Sequence, residues 1–120
     1  MALPPPSLDL PFDITPARAA ELLAEGAIQL IDVREPYERE AGYVEGSRWI
    51  SLSELTAAAP TIDPQRPVVF VCRVGGRSSM AAWSFARAGY DAHNLEGGMV
   101  AWAERGLPIA PEGGGHVADH

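Results

Sequence analysis

Lysine is absent from the sequence, and all nine basic residues are arginines. Sixteen acidic residues leave a formal net charge of −7 at pH 7. Nucleic acids and anionic membrane surfaces are themselves negative, so a chain with this balance is a poor partner for either. Against this acidic background the closely spaced Arg73 and Arg77 stand out as a local positive pair.

Cysteine occurs once, at Cys72. A single cysteine excludes an intramolecular disulfide, a Cys-x-x-Cys redox pair and a cysteine-rich zinc site. A lone reactive thiol survives best in a reducing compartment, so we expect a cytoplasmic location. His116 and His120 have the spacing of helical metal ligands, but the glycines before them disfavour a helix, and we expect no metal site.

Long apolar runs are also missing. No stretch approaches the roughly 20 residues that span a bilayer, and the first ten residues lack the basic start and apolar centre of a signal peptide. The length and the 47 % hydrophobic content suit one domain with tails. We expect a proline-rich lead-in at residues 1–11, a domain at residues 12–110 and a mobile, glycine-rich tail at residues 111–120.

The most informative stretch joins an apolar run to a short basic loop and then to a helix-forming segment. Residues 68–71 are bulky and mostly β-branched, which predicts a buried strand. The segment from Ser79 to Ala88 is rich in alanine and precedes Gly89, which predicts a helix that stops there. Cys72 is therefore expected at the carboxyl end of a strand, with the loop amides at the amino end of a helix.

That position favours an ionised thiol. Unpaired N–H groups and partial positive charge collect at a helix amino end, and Gly75 and Gly76 let successive N–H groups turn toward one point. The permanent charges of Arg73 and Arg77 add to this, so the Cys72 thiol should lose its proton easily. The competing interpretation is an inert core cysteine that closes the strand.

The rest of the chain alternates short strands and helices, which predicts an α/β domain. Thr15 and Pro16 form a helix start signal, and Gly26 ends that helix. Asp32 lies near the carboxyl end of its strand, as Cys72 does, and in a parallel sheet these ends share one edge. The predicted strands span residues 12–14, 27–33, 48–51, 68–71 and 91–95, and the predicted helices span residues 16–25, 36–41, 53–59, 79–88 and 98–105.

Apolar residues of these elements form the predicted core. Trp102 is expected to pack the last helix against the body rather than to bind a ligand. Glu38 is expected to be solvated or paired with a nearby arginine. The predicted core residues are Leu22, Leu23, Ile28, Leu30, Ile31, Val33, Ile50, Leu52, Leu55, Val68, Val69, Phe70, Val71, Ala81, Phe85 and Leu95.

Three stretches carry a resemblance to a known family. Cys72, four intervening residues, Arg77 and Ser78 resemble the active-site loop of the rhodanese family. Residues 30–38 and 94–102 resemble the early and late signatures of the same family, and the likeness covers residues 12–109. The chain departs from the family where Tyr43, Glu45 and Ser47 replace the usual His, Pro and Ala.

The resemblance implies a single domain with a five-stranded parallel sheet flanked by helices on both faces. It implies a thiosulfate sulfurtransferase in which a persulfide on Cys72 passes sulfur from a small anionic donor to cyanide or a thiol. Asp32 and Arg34 would support the site, and no metal or organic cofactor is implied. The loop that binds the anion would comprise Arg73, Val74, Gly75, Gly76, Arg77 and Ser78.

Three other functions stay open at this point. The protein could be a persulfide carrier that serves a sulfur-relay partner, which keeps the same chemistry. It could be a non-catalytic binding module, although the intact Cys72 and Arg77 disfavour this. A phosphatase or arsenate reductase would need five residues between cysteine and arginine, one more than this loop contains.

Overall fold

The computed structural model describes residues 9–118. All strand pairs of its five-stranded sheet are parallel, and the strand order is β1-β5-β4-β2-β3. The strands are Asp13–Ile14 (β1), Gln29–Asp32 (β2), Arg48–Trp49 (β3), Val68–Val71 (β4) and Ala92–Leu95 (β5). The helices are Pro16–Ala24 (α1), Pro36–Ala41 (α2), Leu55–Ala58 (α3), Gly76–Arg87 (α4) and Gly98–Glu104 (α5).

The central strand β4 divides the core into two clusters. Val68 and Phe70 face one cluster with α3 and α4, whereas Val69 and Val71 face the other with α1 and α5. Side chains of a strand alternate between the two faces of a sheet, so a continuously apolar strand must be covered on both sides. The predicted parallel α/β fold with helices on both faces is thereby confirmed.

Two predicted core residues are less buried than expected. Leu52 is 38 % exposed because it begins a 3-10 turn, Leu52–Glu54, after β3. Leu23 is only partly buried and packs at the margin of the second cluster. Buried apolar residues that the prediction omitted include Ile14, Val44, Ile62 and Met99.

Helix boundaries follow local chemistry. Thr15 caps α1 as predicted, and its side chain accepts a hydrogen bond from the Arg18 amide at 3.3 Å. The predicted helix of residues 53–59 is instead a short α3 between two 3-10 turns, the second being Ala59–Thr61. Pro60 lies inside that second turn and has no N–H to continue the helix. No helix among residues 9–118 is long and apolar enough to cross a membrane.

The register of β2 and β4 brings two predicted site residues to one edge of the sheet. Asp32 pairs with Val71, the residue before Cys72. The carboxyl ends of the strands therefore gather the functional side chains at one edge, which is where open parallel sheets bind ligands.

The C-terminal segment at residues 111–118 lies against the body, whereas its predicted mobility stays a prediction. The His116 amide donates to the carbonyl oxygen of Ala41 at 2.9 Å. Val117 packs against the second core cluster, and Arg73 Nε donates to the carbonyl oxygen of Ala118 at 2.9 Å. The predictions for residues 1–8 and for His120 fall outside the described residues.

Deleting residues 113–120 should therefore destabilise the domain. The two hydrogen bonds that join the segment to Ala41 and Arg73 are lost together with the packing of Val117, which corresponds to about 1–2 kcal/mol. For a domain of this size we expect the melting temperature to fall by roughly 4–12 °C. A truncation that removes only residues 119–120 is the control, and an equal melting temperature for both truncations would contradict this expectation.

Candidate active site

Cys72 follows β4 directly and is 1 % exposed. Its sulfur accepts hydrogen bonds from the Gly75 amide at 3.1 Å and from the Ser78 amide at 3.4 Å. The Ser78 hydroxyl lies 3.2 Å from the same sulfur. Three donors thus converge on one atom that was the predicted nucleophile.

Gly75 allows the loop backbone to adopt the conformation that brings these donors to the sulfur. It is the N-cap residue of α4 and has a φ of 107°, in the left-handed region that favours glycine. The helix begins at Gly76 rather than at the predicted Ser79, because the loop turns directly into its first turn. The amides of Gly75 and of Ser78, in the first turn of α4, consequently reach the sulfur.

The pKa of Cys72 lies below its ordinary value. Burial raises the pKa of the thiol, but this is outweighed by hydrogen bonds from Ser78 and Gly75 and by the charge of Arg77. Each of those donors stabilises the thiolate more than the thiol. The site therefore stabilises the thiolate form of Cys72 relative to the thiol.

Arg77 is held by a carboxylate that sequence reasoning did not assign to it. Its Nη1 and Nη2 atoms donate to Glu38 Oε1 and Oε2 at 2.8 and 3.0 Å. Glu38 is 1 % exposed, and the hydrogen bonds from Arg77 help to bring the pKa of its carboxyl below the usual value although burial raises it. The same pair raises the pKa of Arg77. Arg77 thus braces the loop as half of a neutral pair and contributes less free positive charge than predicted.

Arg73 also has its side chain engaged. Its Nε donates to the carbonyl oxygen of Ala118, so the guanidinium lies against the C-terminal segment. Val74, the next residue, is 59 % exposed. The two loop arginines that stood out in the sequence therefore both bind other parts of this chain.

The predicted supporting residues form a buried ion pair. Arg34 Nε and Nη2 donate to the two carboxylate oxygens of Asp32 at 2.8 and 2.9 Å. Arg34 Nη2 also donates to the carbonyl oxygen of Gly42 at 2.7 Å. This pair ties the end of β2 to the turn after α2, and among the described residues its hydrogen bonds do not reach the Cys72 loop.

Asn94 and the start of α5 adjoin the Cys72 loop, although in the sequence they are recognised only as part of the late family signature, with no role in the site. Asn94 Oδ1 lies 2.6 Å from the Ser78 hydroxyl. The α5 residues Met99 and Val100 donate backbone hydrogen bonds to the carbonyl oxygens of Cys72 and Arg73 at 2.9 and 3.0 Å. A polar residue within an otherwise buried strand was the available signal for Asn94.

Residues 15–105 match the model of the Rhodanese-like domain. The chain belongs to the rhodanese-like family. A protein named Sulfurtransferase from Allochromatium vinosum is 38 % identical over 72 % of this chain and 82 % of its own length. The Thiosulfate sulfurtransferase GlpE of Pseudomonas aeruginosa is 38 % identical over 74 % of this chain and 81 % of its own.

Solved structures agree with this assignment. A rhodanese-related protein from Thermoplasma volcanium has a TM-score of 0.77 and 30 % sequence identity to this rhodanese-like domain. The match covers 83 % of this chain and 98 % of that one. The recognition made from three sequence motifs is therefore confirmed.

Two of the three departures from the family pattern are linked by Arg39. Its guanidinium lies over the Tyr43 ring, 4.2 Å from the centroid. Its Nη1 donates to Ser47 Oγ at 2.9 Å and to Asp32 Oδ2 at 3.3 Å. Glu45, the third departure, is exposed. Tyr43 and Ser47 thus contact Arg39 beside the Asp32 carboxylate, and none of the three residues is among the hydrogen-bond donors to the Cys72 sulfur.

Residues 9–118 of this rhodanese-like domain contain no cluster of three or more His, Cys, Asp or Glu side chains that could hold a metal ion. His93 lies in β5, where its two ring nitrogens contact the carbonyl oxygen of Pro11 and the carboxylate of Asp91, each at 2.7 Å. That histidine thereby contacts the residues that flank β1 and β5, and neither ring nitrogen is bonded to the Cys72 loop.

Gly98→Ala should destabilise the rhodanese-like domain strongly. A Cβ at this position would lie 2.5 Å from the carbonyl oxygens of Cys72 and Arg73, and φ is +59°. Left-handed strain costs about 1–2 kcal/mol, and overpacking adds about 1–3 kcal/mol. Urea unfolding measures the sum.

Gly26→Ala is the matched control for that substitution. Gly26 has φ +72° with nothing within 4 Å of the added Cβ, so it carries the strain without the clash. Equal losses in free energy of unfolding for the two variants would show that α5 does not pack closely on the Cys72 loop.

Proposed function

We propose that the protein is a sulfurtransferase that carries sulfane sulfur as a persulfide on Cys72. The observation that carries this proposal is the convergence of the Gly75 amide, the Ser78 amide and the Ser78 hydroxyl on the Cys72 sulfur. All three donors stabilise the thiolate before transfer, and the two backbone amides can also stabilise the anionic persulfide. The sulfurtransferase names of the relatives support the same chemistry.

In the first half-reaction the Cys72 thiolate attacks the outer sulfur of a donor such as thiosulfate. A bond forms between Sγ and that sulfur while the bond to the sulfonate sulfur breaks, and sulfite leaves with the electron pair. The outer sulfur remains the anionic terminal atom of the new persulfide, Sγ becomes neutral, and sulfite leaves as a dianion. The thiolate supplies the electron pair of the new bond and sulfite takes the pair of the broken one, so the step needs no external oxidant or reductant and no metal or organic cofactor takes part in this proposal.

In the second half-reaction a nucleophilic acceptor attacks the outer sulfur. Cyanide is thereby converted to thiocyanate, or a thiolate acceptor to a persulfide. The electrons of the Sγ–S bond return to Cys72, which is released as the thiolate. This is a double displacement through a covalent intermediate. A thiol that is already ionised needs no general base, which fits the lowered pKa of Cys72.

Backbone N–H groups are proposed to bind the anionic donor. Those of Val74, Gly76 and Arg77 have no acceptor among residues 9–118. They lie in the loop and the first turn of α4, where the helix dipole favours negative charge. Because the Arg77 and Arg73 side chains are engaged elsewhere, these amides replace the arginine charges as the main predicted anion contacts.

A persulfide carrier for a protein partner is the second candidate function. Val74 exposes an apolar side chain within the loop, and Tyr37, which interacts electrostatically with Arg77, is half exposed. Apolar side chains at the rim suit a protein surface better than they suit a small inorganic ion. We place either activity in the cytoplasm, because a single reactive thiol needs a reducing environment.

Loading of Cys72 tests the proposal directly. We expect intact-protein mass spectrometry to show one added sulfur atom after incubation with thiosulfate alone, and cyanide to remove it. Cys72→Ser is the control that must stay unmodified. A dedicated carrier would load only from a persulfide donor, a phosphatase would instead hydrolyse an aryl phosphate, and no loading from either donor would overturn sulfur transfer.

A further inference from the structure

The Ser78 hydroxyl has more acceptors within reach than it has protons. Its oxygen lies 2.6 Å from Asn94 Oδ1 and 3.2 Å from Cys72 Sγ. A serine hydroxyl carries one proton and can donate it to one of them at a time. The two acceptors therefore compete for the Ser78 proton. The residue that orients the Asn94 amide affects which of them receives it.

Asp13 fixes the orientation of the Asn94 amide. Asn94 Nδ2 donates to Asp13 Oδ1 at 2.9 Å, and the two residues are register partners on β1 and β5. An ionised carboxylate only accepts hydrogen bonds, so the amide nitrogen must face Asp13 and the amide oxygen must face Ser78. In this orientation the group of Asn94 that faces Ser78 is an oxygen, which can only accept, and it draws the Ser78 proton away from the sulfur.

We propose that Asp13 and Asn94 are positioning residues that decide whether the Ser78 proton goes to Asn94 Oδ1 or to Cys72 Sγ. The inference rests on the proposed function only in taking Cys72 as the nucleophile.

The competition follows the state of the sulfur. With Cys72 as a thiol, Ser78 donates to Asn94, and its oxygen can accept the S–H proton. When the thiol proton leaves to water, Ser78 turns to the thiolate and Asn94 Oδ1 loses its donor. When Sγ bonds to the outer sulfur, the negative charge moves outward and the Ser78 proton returns to Asn94. Asn94 thus favours the thiol and persulfide states over the free thiolate.

Removing Asp13 should release this restraint. Asp13 is exposed, so in Asp13→Ala the Asn94 amide can rotate and place its oxygen toward water. Its nitrogen then donates to Ser78 Oγ, and the Ser78 proton is committed to the sulfur. The variant should ionise Cys72 more readily than the parent protein does.

Other charges near Cys72 stay constant in this comparison. The positive charge of Arg77 on α4 acts on the Cys72 sulfur, and its guanidinium is paired with Glu38 on α2. The side chain of Arg73 lies on the C-terminal segment, and the Asp32–Arg34 pair lies at the end of β2. None of these groups forms a hydrogen bond to Ser78, Asn94 or Asp13.

The single cysteine makes the test direct, because iodoacetamide reacts with the thiolate of Cys72 alone. The rate of alkylation against pH should give a midpoint that falls by about one unit in Asp13→Ala, as one additional hydrogen bond to the thiolate would produce. Glu96→Ala removes another exposed carboxylate, just beyond β5, and should leave the midpoint nearly unchanged.

Ser78→Ala distinguishes redirection of the Ser78 proton from a direct effect of removing the Asp13 charge. In that background there is no hydroxyl to redirect, so adding Asp13→Ala should no longer move the midpoint. An undiminished shift in the Ser78→Ala background, or no downward shift in Asp13→Ala alone, would overturn the proposal. Alkylation does not depend on sulfur transfer, so this outcome is independent of whether thiosulfate loads Cys72.

Discussion

Cys72→Ser should abolish sulfur transfer while leaving the fold intact. A serine hydroxyl stays protonated where the thiol ionises, so the nucleophile of the first half-reaction disappears. Losing a nucleophile lowers turnover by about 10⁴-fold or more, which places the variant below detection in a thiosulfate–cyanide assay. The serine oxygen can still accept from the Gly75 and Ser78 amides that now bind the sulfur. The free energy of unfolding should therefore change by only about 1 kcal/mol.

Ser84→Ala provides the matched control. Ser84 is an exposed serine on α4, away from the loop, and its loss should leave turnover at the parent value. If Cys72→Ser retains parent turnover, the persulfide mechanism is wrong. If the variant unfolds, Cys72→Ala distinguishes loss of packing from loss of the nucleophile.

Local sequence chemistry predicted most of the fold. The Thr15–Pro16 start signal, the β-branched run at residues 68–71 and the alternation of strands with helices all act within a few residues, and each was found as expected. Local patterns of the same kind predicted Cys72 at the carboxyl end of its strand. Leu52 shows the limit of this reasoning, because hydrophobicity alone does not say which way a turn residue points.

The contacts that tune the site could not be predicted in the same way. The Glu38–Arg77 pair joins residues 39 positions apart, and the Asn94–Asp13 bond joins residues 81 apart. The sequence predicted that the Glu38 carboxylate is either solvated or paired with an arginine, but it did not indicate which of the two. The Arg73 contact with Ala118 depends on how the C-terminal segment crosses the body, which its glycine-rich composition did not indicate.

Arg77→Ala should destabilise the protein more than any other single change in the loop. It leaves the buried Glu38 carboxylate without its bidentate partner. Removing one partner of a fully buried pair costs about 3–5 kcal/mol, and we expect about 2–3 kcal/mol here because the Arg77 side chain is 36 % exposed. Arg73→Ala should cost less, since it loses one hydrogen bond to a carbonyl oxygen.

Catalysis should also suffer more in Arg77→Ala than in Arg73→Ala. Arg77 braces the loop that carries the amide donors, so its loss should weaken transition-state binding by about 1–3 kcal/mol. Because Arg77 is paired with Glu38, we expect this loss to come from a displaced loop rather than from a missing charge at the donor. Steady-state measurements on both variants decide the order, and a larger loss of kcat/KM in Arg73→Ala would reverse it.

The stability loss in Arg77→Ala should depend on pH. In the parent protein Glu38 has a folded-state pKa below its ordinary value of 4.5, so its stabilisation is present above that value and is lost as pH falls through the folded pKa. In the variant, burial acts on Glu38 without the arginine and raises its pKa. The variant should consequently gain stability as pH falls from 7 toward 4.5, and the gap to the parent should narrow.

A double variant gives the decisive comparison. Glu38→Gln removes the buried charge while keeping an oxygen that can accept from the Glu35 amide, which now donates to Glu38 at 3.0 Å. Arg77→Ala combined with Glu38→Gln should therefore be more stable at pH 7 than Arg77→Ala alone, because no uncompensated carboxylate stays buried. The free energies of unfolding from urea titrations at pH 7 and pH 5 test both statements. If the double variant is the less stable one, the penalty in Arg77→Ala comes from lost packing of the arginine side chain and not from an orphaned charge.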